Sequence, residues 1–151
     1  MSETVERRLA AILSTDVVGY TRLMRADEEG TLKRFRTHHN ELTEPRIDAH
    51  KGRIVKMLGD GLLVEFASVL DAVRSATEIQ RGMAERNAEV AEDQRIVLRI
   101  GINLDDVIVE GDDIHGDGVN VATRMQEIAT RSPGDKMKED SAAHVGQIGQ
   151  R

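Results

Sequence analysis

Apolar residues in this chain fall into short unbroken runs and longer helical stripes, and the two kinds of pattern alternate. Residues 9–13 (LAAIL) form an apolar run that predicts a buried strand ending at Ser14-Thr15-Asp16. A Gly-bearing bend at 17–21 follows, and a helix is expected to start just after it. Residues 28–44 read as a helix with Leu32, Phe35, His39 and Leu42 on one side, and Pro45 is expected to bend or end it. Residues 52–66 (GRIVKMLGDGLLVEF) predict two apolar strands joined by a tight Gly59-Asp60-Gly61 turn, because glycine tolerates the positive φ that hairpin turns demand. The clearest helix is 68–86. Ser68 and Asp71 resemble a capping box at its start, and Val69, Ala72, Val73, Ala76, Ile79 and Met83 recur at helical spacing. Beyond a polar loop, 95–103 and 106–110 read as two strands with a short turn at Leu104-Asp105. A Gly/Asp-rich loop at 111–118 precedes a helix at 119–130, on which Asn120 and Arg124 share one face.

This order contains a β-α-β-β-α-β unit. It predicts an α+β domain of ferredoxin-like type, a mainly antiparallel sheet with helices packed on one face. The expected boundaries are a polar arm at 1–8, one domain at 9–132 and a divergent tail at 133–151. Within the tail, 135–140 is too charged for a buried strand, and Ala142, Ala143, Val145 and Ile148 suggest a weak terminal helix.

Composition narrows the function classes. The net charge of −6 argues against a general nucleic-acid surface or an anionic-membrane surface, although a local anion site remains compatible with it. Cysteine is absent, so disulfides and thiolate metal sites are excluded, which fits a cytoplasmic protein. No apolar run approaches the ~20 residues of a membrane span, and the mixed-charge start does not read as a signal peptide. His38 and His39 lack a third ligand at metal-binding spacing and read as a helix edge.

Two carboxylates, Asp16 and Asp60, each end a strand at a Gly-containing turn. If their strands are neighbours, both face one point and suit a hard divalent cation; otherwise they are two unrelated turn residues. Turn chemistry alone does not separate these readings. Arg99 lies among apolar strand residues, where a guanidinium is costly unless paired. An internal carboxylate and a ligand phosphate are both candidate partners. Arg124 reads either as a plain surface residue or as a phosphate-stabilising cation one helical turn from Asn120.

Four blocks then resemble the class III nucleotidyl cyclases: TDVVGYTRLM at 15–24, KMLGDGLLVEF at 56–66, LRIGIN at 98–103 and DIHGDGVNVATRM at 113–125. The wording is similar to the adenylate cyclase domains of soil and symbiotic α-proteobacteria, which often carry a longer C-terminal region. The resemblance implies two Mg²⁺ ions per site, with Mn²⁺ able to substitute, held by Asp16 and Asp60 with the Val17 carbonyl as an optional added ligand. It places Val18, Gly19, Tyr20 and Thr21 at the triphosphate and Arg99 near the phosphates. Lys56 and Asp113 match the pair that reads adenine, and Asn120 and Arg124 match the ribose-orienting and transition-state residues. ATP is then the substrate, and the active sites lie at the interface of a head-to-tail homodimer, with a regulatory domain in longer relatives.

The chain departs from the family pattern at two places. Asp105 stands where relatives usually have Gly, in an expected left-handed turn. The closing C-terminal strands and their phosphate-binding lysine are not recognisable, since Lys136 and Lys138 do not align with that lysine. The alternative reading is therefore a catalytically impaired nucleotide-binding or dimerising module derived from a cyclase. A palm-type polymerase or diguanylate cyclase fits less well, because it would leave the Lys56/Asp113 pair and the Asn120/Arg124 helix without a role.

Overall fold

Strands form here where β-branched and aliphatic runs can be covered on both faces, and helices form where the stripes need one. The computed structural model describes residues 6–128 and 143–145. Its elements run β1 (Glu6–Val17), α1 (Tyr20–Ala26), α2 (Glu28–His38), a π-helical turn (His39–Thr43), α3 (Glu44–Ala49), β2 (Arg53–Leu58), β3 (Gly61–Phe66), α4 (Val69–Asn87), β4 (Leu98–Glu110), β5 (Asp113–His115), α5 (Asp117–Ile128) and β6 (Ala143–Val145).

The sheet order is β2-β3-β1-β4-β5, with β1 pairing antiparallel to both β3 and β4. This is the ferredoxin-like arrangement expected from the element order. β1 is buried on both faces, which explains its unbroken apolar run. Ala11 and Leu13 enter the larger core with Phe66 of β3 and with Ala72, Ala76, Ile79 and Met83 of α4. Ala10 and Ile12 point the other way, to a smaller core with Leu63, Val107, Ile114 and Ala122. The helical layer therefore needs one refinement: α5 covers the face opposite to α4.

Several boundaries differ from the sequence expectation. β1 starts at Glu6, inside the expected polar arm, because residues 6–9 pair with β4 although their side chains are exposed. The expected turn at Leu104-Asp105 does not exist. β4 runs continuously from Leu98 to Glu110, paired with β1 from Val17 back to Glu6 without a shift in register. Backbone pairing carries the strand through the polar Asp105-Asp106 step. Asp105 is not left-handed; it lies opposite Ala10 and its side chain accepts from the Asp106 amide at 2.7 Å. The loop at 111–118 contains β5, and α5 begins at Asp117.

Pro45 does not end the helical path. It lies in the first turn of α3, where its missing N–H costs nothing, and the π-helical turn before it joins α2 to α3. α4 is capped as expected: the Ser68 hydroxyl accepts from the Asp71 amide at 3.3 Å. Residues 143–145 form a strand parallel to Ile100–Ile102 of β4, not a helix, since β5 leaves that part of the β4 edge open for pairing. The charged stretch at 135–140, Lys136, Lys138 and the rest of the tail lie outside the described residues, as do 1–5.

The sheet curls until its two ends meet through side chains. β2 and β5 lie at opposite ends of the strand order. Even so, Lys56 of β2 pairs with Asp113 of β5 at 2.9 Å, and Arg53 Nη1 donates to the Asp112 carbonyl at 3.1 Å. Arg53 is itself held by Glu65 of β3, whose carboxylate accepts from Arg53 Nη2 at 2.8 Å and from Arg8 Nε and Nη2 at 2.7 and 2.9 Å. Burial pushes the Glu65 carboxyl up, but the two guanidiniums outweigh it and hold it below its ordinary 4.5.

A carboxyl depressed on folding stabilises fully above its unfolded pKa, and that stabilisation is lost as pH falls through the folded value. Glu65→Gln is expected to lose about 1–2 kcal/mol near neutral pH, since both guanidinium partners stay partly wet. Its stability should then fall less than that of the wild type on acidification below the ordinary carboxylate range. Urea unfolding at a series of pH values checks this; parallel pH curves for the two proteins would refute it.

Candidate active site

The β2–β3 hairpin and the end of β1 meet at one point because Gly61 allows it. A Cβ on Gly61 would lie 2.2 Å from the Thr15 carbonyl oxygen and 3.5 Å from the Asp16 Cβ. Such closeness lets the turn before Gly61 reach the Asp16-Val17 step. The Val17 amide accordingly donates to Asp60 Oδ2 at 2.9 Å. Gly59, at φ 61°, supplies the left-handed residue of the turn. The two carboxylates singled out by sequence are thus brought together, on neighbouring strands and at one end of the sheet.

Arg99 joins them. β1 and β4 set Asp16 directly opposite Arg99, and the guanidinium grips the carboxylate with both arms, Nε to Oδ1 at 2.8 Å and Nη2 to Oδ2 at 2.7 Å. Of the two partners considered for Arg99, the structure contains the internal carboxylate. Both side chains keep about a quarter of their surface open, 26% for Arg99 and 24% for Asp16, so the pair is reachable by a ligand. Beside it, the Val18 amide donates to the Val97 carbonyl at 2.8 Å. Gly19 then turns left-handed at φ 63° to start α1, where Tyr20 is half-buried and Thr21 exposed. Val17, Val18, Gly19, Tyr20 and Thr21 therefore border the same sheet end.

Lys56 and Asp113 form a second group. Lys56 Nζ lies 2.9 Å from Asp113 Oδ1 and 3.1 Å from Oδ2, while the Ile114 amide donates to Oδ1 at 2.8 Å. The Lys56 ammonium, helped by that amide, holds the Asp113 carboxyl below the usual carboxylate range. Asn120 and Arg124 are both exposed on α5, one turn apart, on the side away from the buried Ala122. Neither has an ion pair with another described residue. No described hydrogen bond or ion pair joins them, or the Lys56–Asp113 pair, to Asp16 and Asp60.

The donor chemistry at Asp16 and Asp60 suits a hard cation. Asp60 reaches the backbone directly beside Asp16, with glycines on either side of it, and Asp16 already holds a cationic partner in Arg99. Among the described residues no cluster of three or more His, Asp or Glu stands at such a point. A bound ion would therefore complete its shell with water and phosphate oxygens, the habit of Mg²⁺.

One side-chain network escaped the sequence reading, the Arg8–Glu65–Arg53 array. Its signal was present. Glu65 sits within GLLVEF, a strand buried along its whole length, and a carboxylate in such a run needs partners as much as Arg99 did.

A sheet of this order, with Asp60 set against the Asp16-Val17 step where β1 meets the hairpin, has the fold of a cyclase-type catalytic domain. The chain belongs to the adenylate and guanylate cyclase catalytic domain family, whose model matches residues 4–133. It is 49% identical over 127 residues to Putative adenylate cyclase 3 of Rhizobium meliloti (strain 1021), covering 84% of this chain and 22% of that protein. Adenylate cyclase of Streptomyces coelicolor is 34% identical over 140 residues, which cover 93% of this chain and 34% of that one. This chain thus spans between 22% and 34% of the length of these relatives. The crystal structure of an adenylate/guanylate cyclase/hydrolase from Silicibacter pomeroyi superposes with a TM-score of 0.78 at 45% identity, covering 83% of this chain and 73% of that one. No helix among the described residues is long and apolar enough to cross a membrane.

The two hairpin glycines should respond differently to substitution. Gly61→Ala must move the hairpin off β1 and is expected to cost about 3 kcal/mol. Gly59→Ala meets nothing within 4 Å, so only its positive φ resists and the cost should be about 1 kcal/mol. Urea midpoints of the two variants decide it, and an equal or reversed order would show that the contact with Thr15 does not constrain the turn.

Proposed function

We propose that this domain is an adenylate cyclase that converts ATP to 3′,5′-cyclic AMP and pyrophosphate in a head-to-tail homodimer. The observation that carries the reading is the meeting of Asp16 and Asp60 at one sheet end, where Asp60 accepts from the Val17 amide, Arg99 grips Asp16 from β4, and the loop of residues 18–21 lies beside them. In this reading Asp16 and Asp60, with the Val17 carbonyl as an optional further ligand, hold two Mg²⁺ ions, or Mn²⁺ in their place. The bound ions would supply Lewis acidity, lowering the pKa of the 3′-hydroxyl and neutralising the triphosphate.

The chain's own residues position the rest. Residues Val18 to Thr21 receive the triphosphate, and Arg99 contributes charge to it. Lys56 and Asp113 read the adenine through complementary donor and acceptor edges. Asn120 orients the ribose. Arg124 neutralises charge that builds on the transferring phosphoryl group. The 3′-oxygen bonds to the α-phosphorus as the bond from that phosphorus to the β-phosphate bridging oxygen breaks. The hydroxyl proton leaves to solvent and pyrophosphate departs. Such chemistry asks the protein mainly to position and to stabilise charge.

The separation of the two residue groups supports an interface site. Asp16, Asp60 and Arg99 form one half within a chain, and Lys56, Asp113, Asn120 and Arg124 supply the other half from the partner. Purified protein given ATP with Mg²⁺ or Mn²⁺ should make cyclic AMP well above an Asp60→Ala control. Product no greater than that control would leave only a nucleotide-binding or dimerising module. Asp60→Ala and Arg124→Ala, each inactive alone, should regain about a quarter of wild-type activity when mixed, since half the random dimers carry one intact site of two. Mixing without any recovery would refute the shared site. Base choice offers a separate check: Lys56→Glu combined with Asp113→Cys should lower the ATP:GTP ratio of kcat/KM, and an unchanged ratio would remove both residues from base reading.

A further inference from the structure

We infer that the Arg8–Glu65–Arg53 array is a positioning device for the base-reading pair. It rules purine selectivity without touching the nucleotide, and the inference rests on the proposed role of Lys56 and Asp113. The array crosses three adjacent strands, from Arg8 on the central β1 through Glu65 on β3 to Arg53 on the edge strand β2. It ends on the Asp112 carbonyl, one residue before Asp113.

Three facts make this a constraint on Asp113 in particular. First, β2 and β5 are not hydrogen-bonded neighbours in the sheet, so the direct polar contacts across the gap are made by side chains. Second, the segment carrying Asp113 has few backbone bonds on its own side. β5 pairs with β4 at only three positions, and it follows a turn with a left-handed Gly111. Third, the two contacts across the gap are adjacent on both sides. Arg53 and Lys56 lie on one strand, and Asp112 and Asp113 are consecutive. Arg53 therefore sets where the Asp112 peptide stands, and the Asp113 carboxylate follows that peptide.

Glu65 gives the array its stiffness. Its side chain is 9% exposed, while the guanidinium side chains on either side are 43% and 42% exposed. A nearly buried carboxylate that binds two guanidiniums fixes both in direction, because the planar fork of arginine loses geometry if either bond is given up. Arg53 divides its fork between the Glu65 carboxylate and the Asp112 carbonyl, through Nη2 and Nη1. Lysine cannot make both bonds from one ammonium held in that place.

The test compares Arg53→Met, Arg53→Lys and Lys56→Met with wild type. Equilibrium binding of fluorescent ATP and GTP analogues is measured together with kcat and KM for both nucleotides, and thermal midpoints are recorded for each variant. Lys56→Met should reduce the preference for ATP directly. Arg53→Met should reduce it about fivefold to tenfold, through weaker ATP binding and higher KM with kcat nearly kept, as expected for a lost charge-assisted hydrogen bond. Arg53→Lys should not restore it, and the double variant Arg53→Met/Lys56→Met should fall no further than Lys56→Met alone. If Lys56→Met changes the preference and Arg53→Met does not, the positioning role is wrong while base reading by Lys56 stands. Loss of binding and turnover equally for both nucleotides in Arg53→Met, with a lowered thermal midpoint, would mean that the array serves stability only. An unchanged preference in Lys56→Met removes the base-reading role itself, and the array's role with it.

Discussion

The pairing of β1 with β4 is the interaction on which the rest of the domain depends. It runs unbroken from Glu6 opposite Val109 to Val17 opposite Leu98. One register therefore decides both faces at once. It sends Ala11 and Leu13 to the α4 side and Ala10 and Ile12 to the α5 side, and it sets Asp16 opposite Arg99. A slip of one residue would exchange the two faces and separate the carboxylate from its guanidinium. Core packing and site geometry are thus specified by the same ladder.

Charge is handled differently at the two ends of this sheet. At the β1 end, Asp16 and Arg99 neutralise each other while keeping some contact with water. Such a partly exposed pair contributes modestly to stability. Toward the β2 edge, Glu65 is enclosed between Arg8 and Arg53 and its carboxyl is driven toward the ionised form. Its role is geometric.

Much of this was readable from residue pattern. The LAAIL run, the Gly-Asp-Gly turn and the stripe on α4 name their elements because each satisfies one local rule. Asp16 and Asp60 were legible as candidates, and their convergence needed only the strand order. The failures share a cause. The turn expected at Leu104-Asp105 and the part of the expected loose arm that is described, residues 6–8, both lie in strands, held by the backbone ladder between β1 and β4. Backbone pairing between distant segments leaves no mark on the side-chain pattern of either. Pro45 misled for a related reason: proline marks the start of a helix as readily as its end. The Glu65 array was missed because Arg8 joins Arg53 and Glu65 only through the pairing of β1 with β3, and its reach to Asp112 exists only when the sheet ends meet.

The manner in which the sheet closes bears on how such a domain diversifies. Its central strands are tied by main-chain hydrogen bonds, which almost any side chain respects. Its two ends are tied by Arg53 to the Asp112 carbonyl and by Lys56 to Asp113. Substitutions at 53, 56, 65 or 113 can therefore re-gap the seam while every backbone bond of the β1–β4 ladder survives. The seam is a region where substitution can change the spacing of the sheet ends without breaking the central ladder. The end bearing Asp16 and Gly61, locked by main-chain contact, has no such freedom.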